Sequence, residues 1–354
     1  MELSFAYDQV LSRLERLDFP ALFRGFRRFP FALYNDSEAY LDGERIEKPA
    51  VFLANTSVMY NGRHTAIWNM MEETYDFDVL ASKLAHEMFH AFQNENGEKR
   101  WADERAALTE YRYEEANFAA KLEEAACIRR CLAGYDREAY DRLISLRRAR
   151  MERFPFEYGY EARIEQIEGS ANYVEMEALA QLDRDKAARR RGEALDAIAD
   201  PARYFPVRAV TYTTGALFLA CLNRYSDIDT ETFSDTPFSV EAIEGAAPCP
   251  LPEADARVAS CLEMWRTRTR EKVSRALDKN EIVLDSPGSL AAWNVYDGYW
   301  NGTYALLTYF LGYIEGTGLP ETKEEALSRM KMIYGDFVAE MDRDMTLRRV
   351  WRQA

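Results

Sequence analysis

Histidine is scarce in this chain, with three copies in 354 residues. Cysteine is nearly as sparse. Its five copies (Cys127, Cys131, Cys221, Cys249 and Cys261) are odd in number and lack the CxxC spacing of a zinc knuckle or redox pair. Reduced thiols in a cytoplasmic protein are therefore expected, not a disulfide framework. Long apolar runs are missing too. The strongest, around Ala209 to Leu222, is shorter than a membrane span and includes several threonines, so no membrane partner is expected. Residues 1 to 20 have charges spread through them and no continuous apolar stretch, so they do not read as a signal peptide. Nor is there a surplus of positive charge. A formal net charge of −15 would repel a phosphate backbone, which sets nucleic acid aside as a partner.

What is present is an ordinary globular composition, 47% apolar and 30% charged, in a chain long enough for a main domain and a smaller module. Residues 4 to 18 alternate like a helix. Asp42-Gly43 and Asn61-Gly62 are hairpin signals, the second between two β-type runs as a type I′ turn requires. Residues 1–75 are thus expected to hold a helix and a small antiparallel sheet. From about Asp76 the period becomes helical, predicting helices over 76–94, 101–133, 137–153, 157–191, 207–225 and 253–277 within a unit of 76–278. Arg189-Arg190-Arg191 before Gly192 reads as a helix C-terminus. After Asn280 the period drops to two. Strands are expected over 281–284, 289–300, 303–314, 330–340 and 345–352, forming a C-terminal antiparallel β module of residues 279–354. Its aromatic residues, Tyr296 among them, read as strand packing. The fold class is α+β.

The chemistry concentrates in His86-Glu87-Met88-Phe89-His90. At 100° per residue, Phe77, Leu80, Ala81, Leu84, Ala85, Met88 and Phe92 form one apolar stripe, and His86 and His90 fall nearly opposite. Histidines at i and i+4 present their rings side by side, so one zinc ion can take a nitrogen from each. Glu87, the next residue round, can reach a metal-bound water without being a ligand. In this H-E-x-x-H arrangement the metal lowers the water's pKa and the carboxylate removes its proton. Two of the three histidines of the chain occupy the two motif positions; His64, beside the hairpin turn, reads as a surface residue.

A catalytic zinc needs a third protein ligand. Glu110 lies twenty residues beyond His90, in surroundings that resemble a solvated helix face, and Glu104 is similar. Glu168 sits at the edge of a stripe made by Ile164, Ile167, Ala171, Val174 and Ala178, half-buried as a ligand should be. The alternative is that Glu161, Glu168 and Glu175 form one charged row on a solvated helix.

The run Glu168-Gly169-Ser170-Ala171-Asn172-Tyr173-Val174-Glu175 resembles the E-G-x-A-x-Y-x-E ligand helix of gluzincin metallopeptidases, especially those like aminopeptidase N. That resemblance implies a zincin-like catalytic domain with Glu168 as third zinc ligand, and Gly169 packed closely on the histidine helix. Tyr212, in Tyr212-Thr213-Thr214-Gly215-Ala216, is similar to the family's Y-x-K-G-A segment, with Thr214 in place of lysine, which implies a donor to the oxyanion. The family also aligns substrate on a sheet edge, which strands around Val51 to Trp68 would supply. Two departures stand out. Glu168 follows His90 by 78 residues, not about twenty, which requires an inserted helical hairpin, and the G-x-M-E-N segment that captures a free α-amine is absent. The expected function is a zinc metallopeptidase acting on a peptide or protein. An inactive zincin-like binding protein and a hydrolase of a non-peptide amide or ester are the alternatives.

Overall fold

A computed structural model describes residues 2–71, 75–316, 318, 320 and 322–353. The chain is α+β. It begins with α1 (Leu3–Leu14) and α2 (Phe19–Leu22), then β1 (Phe31–Tyr34), β2 (Glu38–Leu41), β3 (Glu44–Glu47), β4 (Thr56–Tyr60) and β5 (Arg63–Asn69). Both hairpin signals form turns: Asp42 and Gly43 link β2 to β3, Asn61 and Gly62 link β4 to β5, and all four have the positive φ that a type I′ turn demands. The sheet order is β3-β2-β1-β5-β4. It is mixed, which corrects the antiparallel expectation, because β1 and β5 run parallel with Ala32 opposite Ile67. Strand β4 pairs only with β5 and is left as a free edge.

One face of this sheet is covered by α1, through Tyr7 stacked on Phe31 at 4.3 Å, and by α3 (Phe77–Glu95). Asp76 caps α3, its carboxylate accepting from the amides of Asp78 and Val79. The apolar stripe of α3 is buried except for the half-buried Phe77, and Phe89 and Phe92 pack against Phe23 and Phe26. The opposite face of α3 is covered as well, by α8 (Ser170–Leu182), and this is what encloses the histidines.

The expected helix over 101–133 is two, α4 (Glu104–Glu110) and α5 (Glu115–Ala133). At their break, residues 111–114, the chain meets two buried carboxylates: the Arg112 amide and guanidinium bind Glu157 while the Tyr111 hydroxyl donates to Glu161 at 2.6 Å. After α6 (Arg137–Arg153), the expected helix over 157–191 is α7 (Pro155–Ile164), a π-helical turn over Glu165–Gly169, α8, and a separate α9 (Arg184–Ile198). Asp183 ends α8 and caps α9, so Arg189-Arg190-Arg191 and Gly192 lie inside α9 and not at a helix end. Arg191 instead binds Glu177 on α8 at 2.8 Å. The helices α10 (Arg208–Tyr225), α11 (Phe238–Glu241) and α12 (Ala256–Lys279) complete this part. Gly169 packs against α10, not the histidine helix. A Cβ on it would stand 2.8 Å from the Gly215 Cα, and one on Gly215 would stand 2.8 Å from the Glu165 Cα.

Charge is buried where the helices meet. Lys121, Glu124, Arg147, Arg150, Glu161 and Glu165, three cations and three anions, are each at most 2% exposed. Arg147 forks onto Glu165 at 2.8 and 2.9 Å, Arg150 forks onto Glu161 at 2.9 Å while reaching Glu124, and Lys121 binds Glu161 at 2.7 Å. The set is neutral and mutually paired, the condition under which buried ions are tolerated.

The C-terminal strands are β6 (Ile282–Leu284), β7 (Gly288–Trp293), β8 (Tyr299–Trp300), β9 (Tyr304–Leu307), β10 (Phe310–Glu315), β11 (Lys331–Tyr334), β12 (Phe337–Met341) and β13 (Thr346–Arg352), with α13 (Lys323–Arg329) before β11. All pairs are antiparallel in the order β11-β10-β7-β13-β12-β9-β8, with β6 on β13. The expected strands over 303–314 and 330–340 are each divided, at Tyr309 and Gly335, whose positive φ bends the chain side by side where the Gly335 amide donates to the Tyr309 carbonyl. Residues 294–298 interrupt the strand expected over 289–300 and leave it as a loop. The sheet packs on α12 through Leu306, Val338 and Trp351 against Val273 and Ala276. All five cysteines are free, and among the described residues no helix is long and apolar enough to cross a membrane.

Candidate metal centre

On α3, His86 and His90 point into the space between α3 and α8, where the π-turn presents Glu168. The two Nε2 atoms are 3.1 Å apart, Glu168 Oε2 is 3.2 Å from His90 Nε2 and 3.8 Å from His86 Nε2. Three donors each about 2.0–2.1 Å from one tetrahedral zinc stand about 3.3–3.4 Å apart, so this set fits the ion without rearrangement of the backbone. Among the described residues, no other group of three His, Cys, Asp or Glu side chains is so placed. Neither rival glutamate joins it. Glu110 is exposed at the end of α4 and faces Arg343 at 3.6 Å; Glu104 binds Arg208 and accepts from the Tyr160 hydroxyl at 2.8 Å. His64 lies half-buried on β5 opposite Met59, apart from the centre.

The charged row of Glu161, Glu168 and Glu175 is not solvated. Glu161 is buried in the ion network, Glu168 faces the histidines, and Glu175 Oε2 lies 3.5 Å from His86 Nδ1. The other ring is held more firmly. Gln93, 1% exposed, offers its Oε1 to His90 Nδ1 at 2.8 Å and donates its Nε2 to the Ile167 carbonyl at 3.0 Å. One amide thus ties the histidine helix to the turn bearing Glu168, with both imidazoles showing Nε2 to the shared point.

The protonation balance follows the same geometry. Burial works against a charged His86, yet the carboxylates of Glu168, Glu175 and Glu87 around it outweigh burial and raise its pKa well above the ordinary value. Burial likewise opposes an ionised Glu168, but the charge of His90 and bonds to both histidines hold it well below the ordinary carboxylate range. For Glu87 burial dominates and pushes the carboxyl up, with His86 and His90 pulling only part of the way back. Two carboxylates side by side are thereby driven apart, one toward a fixed anion and one toward a proton acceptor of raised basicity.

A cleft of about 310 Å³ opens over these groups, lined also by Asn55, Thr56 and Ser57 at the start of the β4 edge, by Trp101, and by Tyr212 and Tyr296. Arg208, on the first turn of α10, binds Glu104, stands 3.5 Å from Glu168 Oε1 and lies 5.3 and 5.6 Å from the Tyr212 and Tyr296 ring centres. Sequence reasoning missed Arg208, Gln93 and the placement of Tyr296. Gln93, one helical turn beyond His90, carried a readable signal; Arg208 looked like any arginine at a helix start. Tyr296 is not strand packing but a loop residue, 46% exposed, whose hydroxyl is 3.1 Å from that of Tyr212.

No protein-family model, curated protein or solved structure matches this chain. The centre is therefore read from its own atoms.

Proposed function

We propose that the chain is a zinc-dependent peptidase of the gluzincin type, with a zincin-like catalytic unit in which His86, His90 and Glu168 hold the ion. The observation that carries the reading is the convergence of those three donors at tetrahedral spacing with Glu87 beside them. When bound, zinc supplies Lewis-acid polarisation of a water and of the scissile carbonyl. Glu87, beside the two histidines, would take the proton of the attacking water and pass it to the departing amine. Gln93 fixes the His90 ring, and the Glu175 carboxylate stands 3.5 Å from His86 Nδ1. The free edge of β4 is placed to pair with an extended peptide, its Thr56 and Ser57 lining the cleft.

The test is metal content and cleavage of fluorescein-labelled casein. The native chain should carry one zinc and cleave. His86→Ala should lose the metal, and Glu87→Gln should keep it while cleavage falls by orders of magnitude. Undiminished cleavage by Glu87→Gln would defeat the mechanism.

A further inference from the structure

An amide carbonyl attacked by water becomes an oxyanion, and a hydrogen-bond donor aimed at it is among the larger contributions a site can make. Two phenols face the cleft, Tyr212 from α10 and Tyr296 from the loop between β7 and β8. A hydroxyl has one proton to give. The two hydroxyls stand 3.1 Å apart, and Tyr296, 46% exposed where Tyr212 is half-buried, is the one turned to the open cleft. We propose that Tyr296, carried by the C-terminal β-sheet module, is the catalytic donor to the oxyanion, and that Tyr212 is a positioning residue behind it. This role rests on the peptidase reading.

The Tyr296 loop is built to hold a side chain still. The Tyr296 amide donates to Asn294 Oδ1 at 3.2 Å, Asn294 Nδ2 donates to Thr308 Oγ1 at 3.0 Å, and Thr308 Oγ1 donates to Asp297 Oδ2 at 3.3 Å. Gly298 closes the loop against the buried Trp293, where a Cβ would stand 2.8 Å from the indole ring. Arg105 anchors the strand before it by donating to the Leu290 carbonyl at 2.9 Å. The Arg208 guanidinium, shared by both rings, fixes their mutual orientation from below. A donor held in advance needs no reorganisation at the moment of reaction. When Tyr296 donates to the oxyanion, its oxygen is left to accept from Tyr212, which polarises the Tyr296 O–H and makes it the stronger donor.

The step balances. As the water oxygen bonds to the carbonyl carbon, the C=O π pair moves onto the carbonyl oxygen and the water's proton goes to Glu87. Tyr296 keeps its own proton and stabilises the new charge through the hydrogen bond. When the C–N bond breaks, that electron pair returns and the proton on Glu87 leaves with the amine.

Tyr296→Phe and Tyr212→Phe would be compared with the native chain and Glu87→Gln on fluorescein-labelled casein and on a quenched peptide derived from it. Zinc content and inhibition by a phosphinic peptide, a tetrahedral mimic, would be measured on the same samples. Tyr296→Phe should lower kcat about 10²- to 10³-fold, leave KM and zinc content near native, and weaken the phosphinic peptide by a similar factor. Tyr212→Phe should lower kcat about tenfold, since the donor loses only its polarising partner. Native kcat in Tyr296→Phe, or a larger loss in Tyr212→Phe than in Tyr296→Phe, would overturn the assignment and leave the peptidase reading intact. No cleavage by the native zinc-loaded chain would overturn both.

Discussion

Gln93 offers the sharpest quantitative test of how the centre is assembled. It is buried, is not itself a ligand, and makes one bond to each half of the site, to His90 Nδ1 at 2.8 Å and to the Ile167 carbonyl at 3.0 Å. Gln93→Ala removes both. Loss of the group that orients a metal-bound imidazole costs about 10- to 100-fold in metal affinity, and loss of the bond to the Ile167 carbonyl, which keeps the Ser170 amide as a donor, costs about 0.5–1.5 kcal/mol of stability. Gln93→Glu separates the two effects. It keeps an acceptor for His90, so zinc affinity should stay within a few-fold of native, but it sets an anionic oxygen against the Ile167 carbonyl, so stability should fall as far as in Gln93→Ala or further. Zinc affinity would be measured by competition with a chromogenic chelator, and stability by urea unfolding of the metal-free chain. Equal zinc affinities in native and Gln93→Ala proteins would refute the claim that this amide orients the centre. Equal stabilities would refute the bridge to Ile167.

Other outcomes follow from the same coordinates. Glu168→Ala should abolish zinc binding at micromolar metal while Glu110→Ala leaves it unchanged, and the reverse pattern would reassign the third ligand. Gly215→Ala, which forces a Cβ to within 2.8 Å of the Glu165 backbone, should destabilise by about 1–3 kcal/mol and weaken zinc binding with it; thermal unfolding and chelator competition check both. Burial disfavours the ionised Glu161, yet Arg150 and Lys121 override it and hold the carboxyl at about 2, against an ordinary 4.5. A depressed acid pKa stabilises the fold above 4.5 and loses that contribution as pH falls toward 2. Acid unfolding should therefore steepen in this window, and Glu161→Gln, expected to cost about 3–5 kcal/mol near neutrality by leaving two buried cations short of an anion, should flatten the dependence. An unchanged slope in that variant would show the network is not the acid-labile element.

The centre was legible where its information is local. His86, Glu87 and His90 share one helix, and their departure from the apolar stripe follows from periodicity alone. Glu168 was singled out by the resemblance of residues 168–175 to a ligand helix, since periodicity alone left it in a charged row with Glu161 and Glu175. What periodicity could not reveal is burial of charge. Lys121, Glu124, Arg147 and Arg150 are spaced like the wet face of any helical hairpin, and only the pairing across α5, α6 and α7 shows that this face is interior. The break of the expected helix over 101–133 has the same cause, since Tyr111 and Arg112 leave helical geometry where they meet carboxylates from a distant segment. Tyr296 was hidden for a different reason. It reaches the cleft from a sheet whose own pattern describes only its packing, and nothing near residue 296 encodes what lies across from it.

The π-turn at Glu165–Gly169 works as a phase shifter. Ahead of it, Glu161 of α7 faces Arg150, and the turn's first residue, Glu165, faces Arg147; its fourth residue, Glu168, and Glu175 on α8 address His86 and His90. A π-turn holds one residue more than the α-helical turn it replaces, and one residue is about 100° of rotation. Deleting a single residue there would leave both sets of carboxylates in the sequence, but no uninterrupted α-helix could aim them at both sets of partners at once. The ion network and the candidate metal centre are thus two readings of one helix, kept in register by one supernumerary residue.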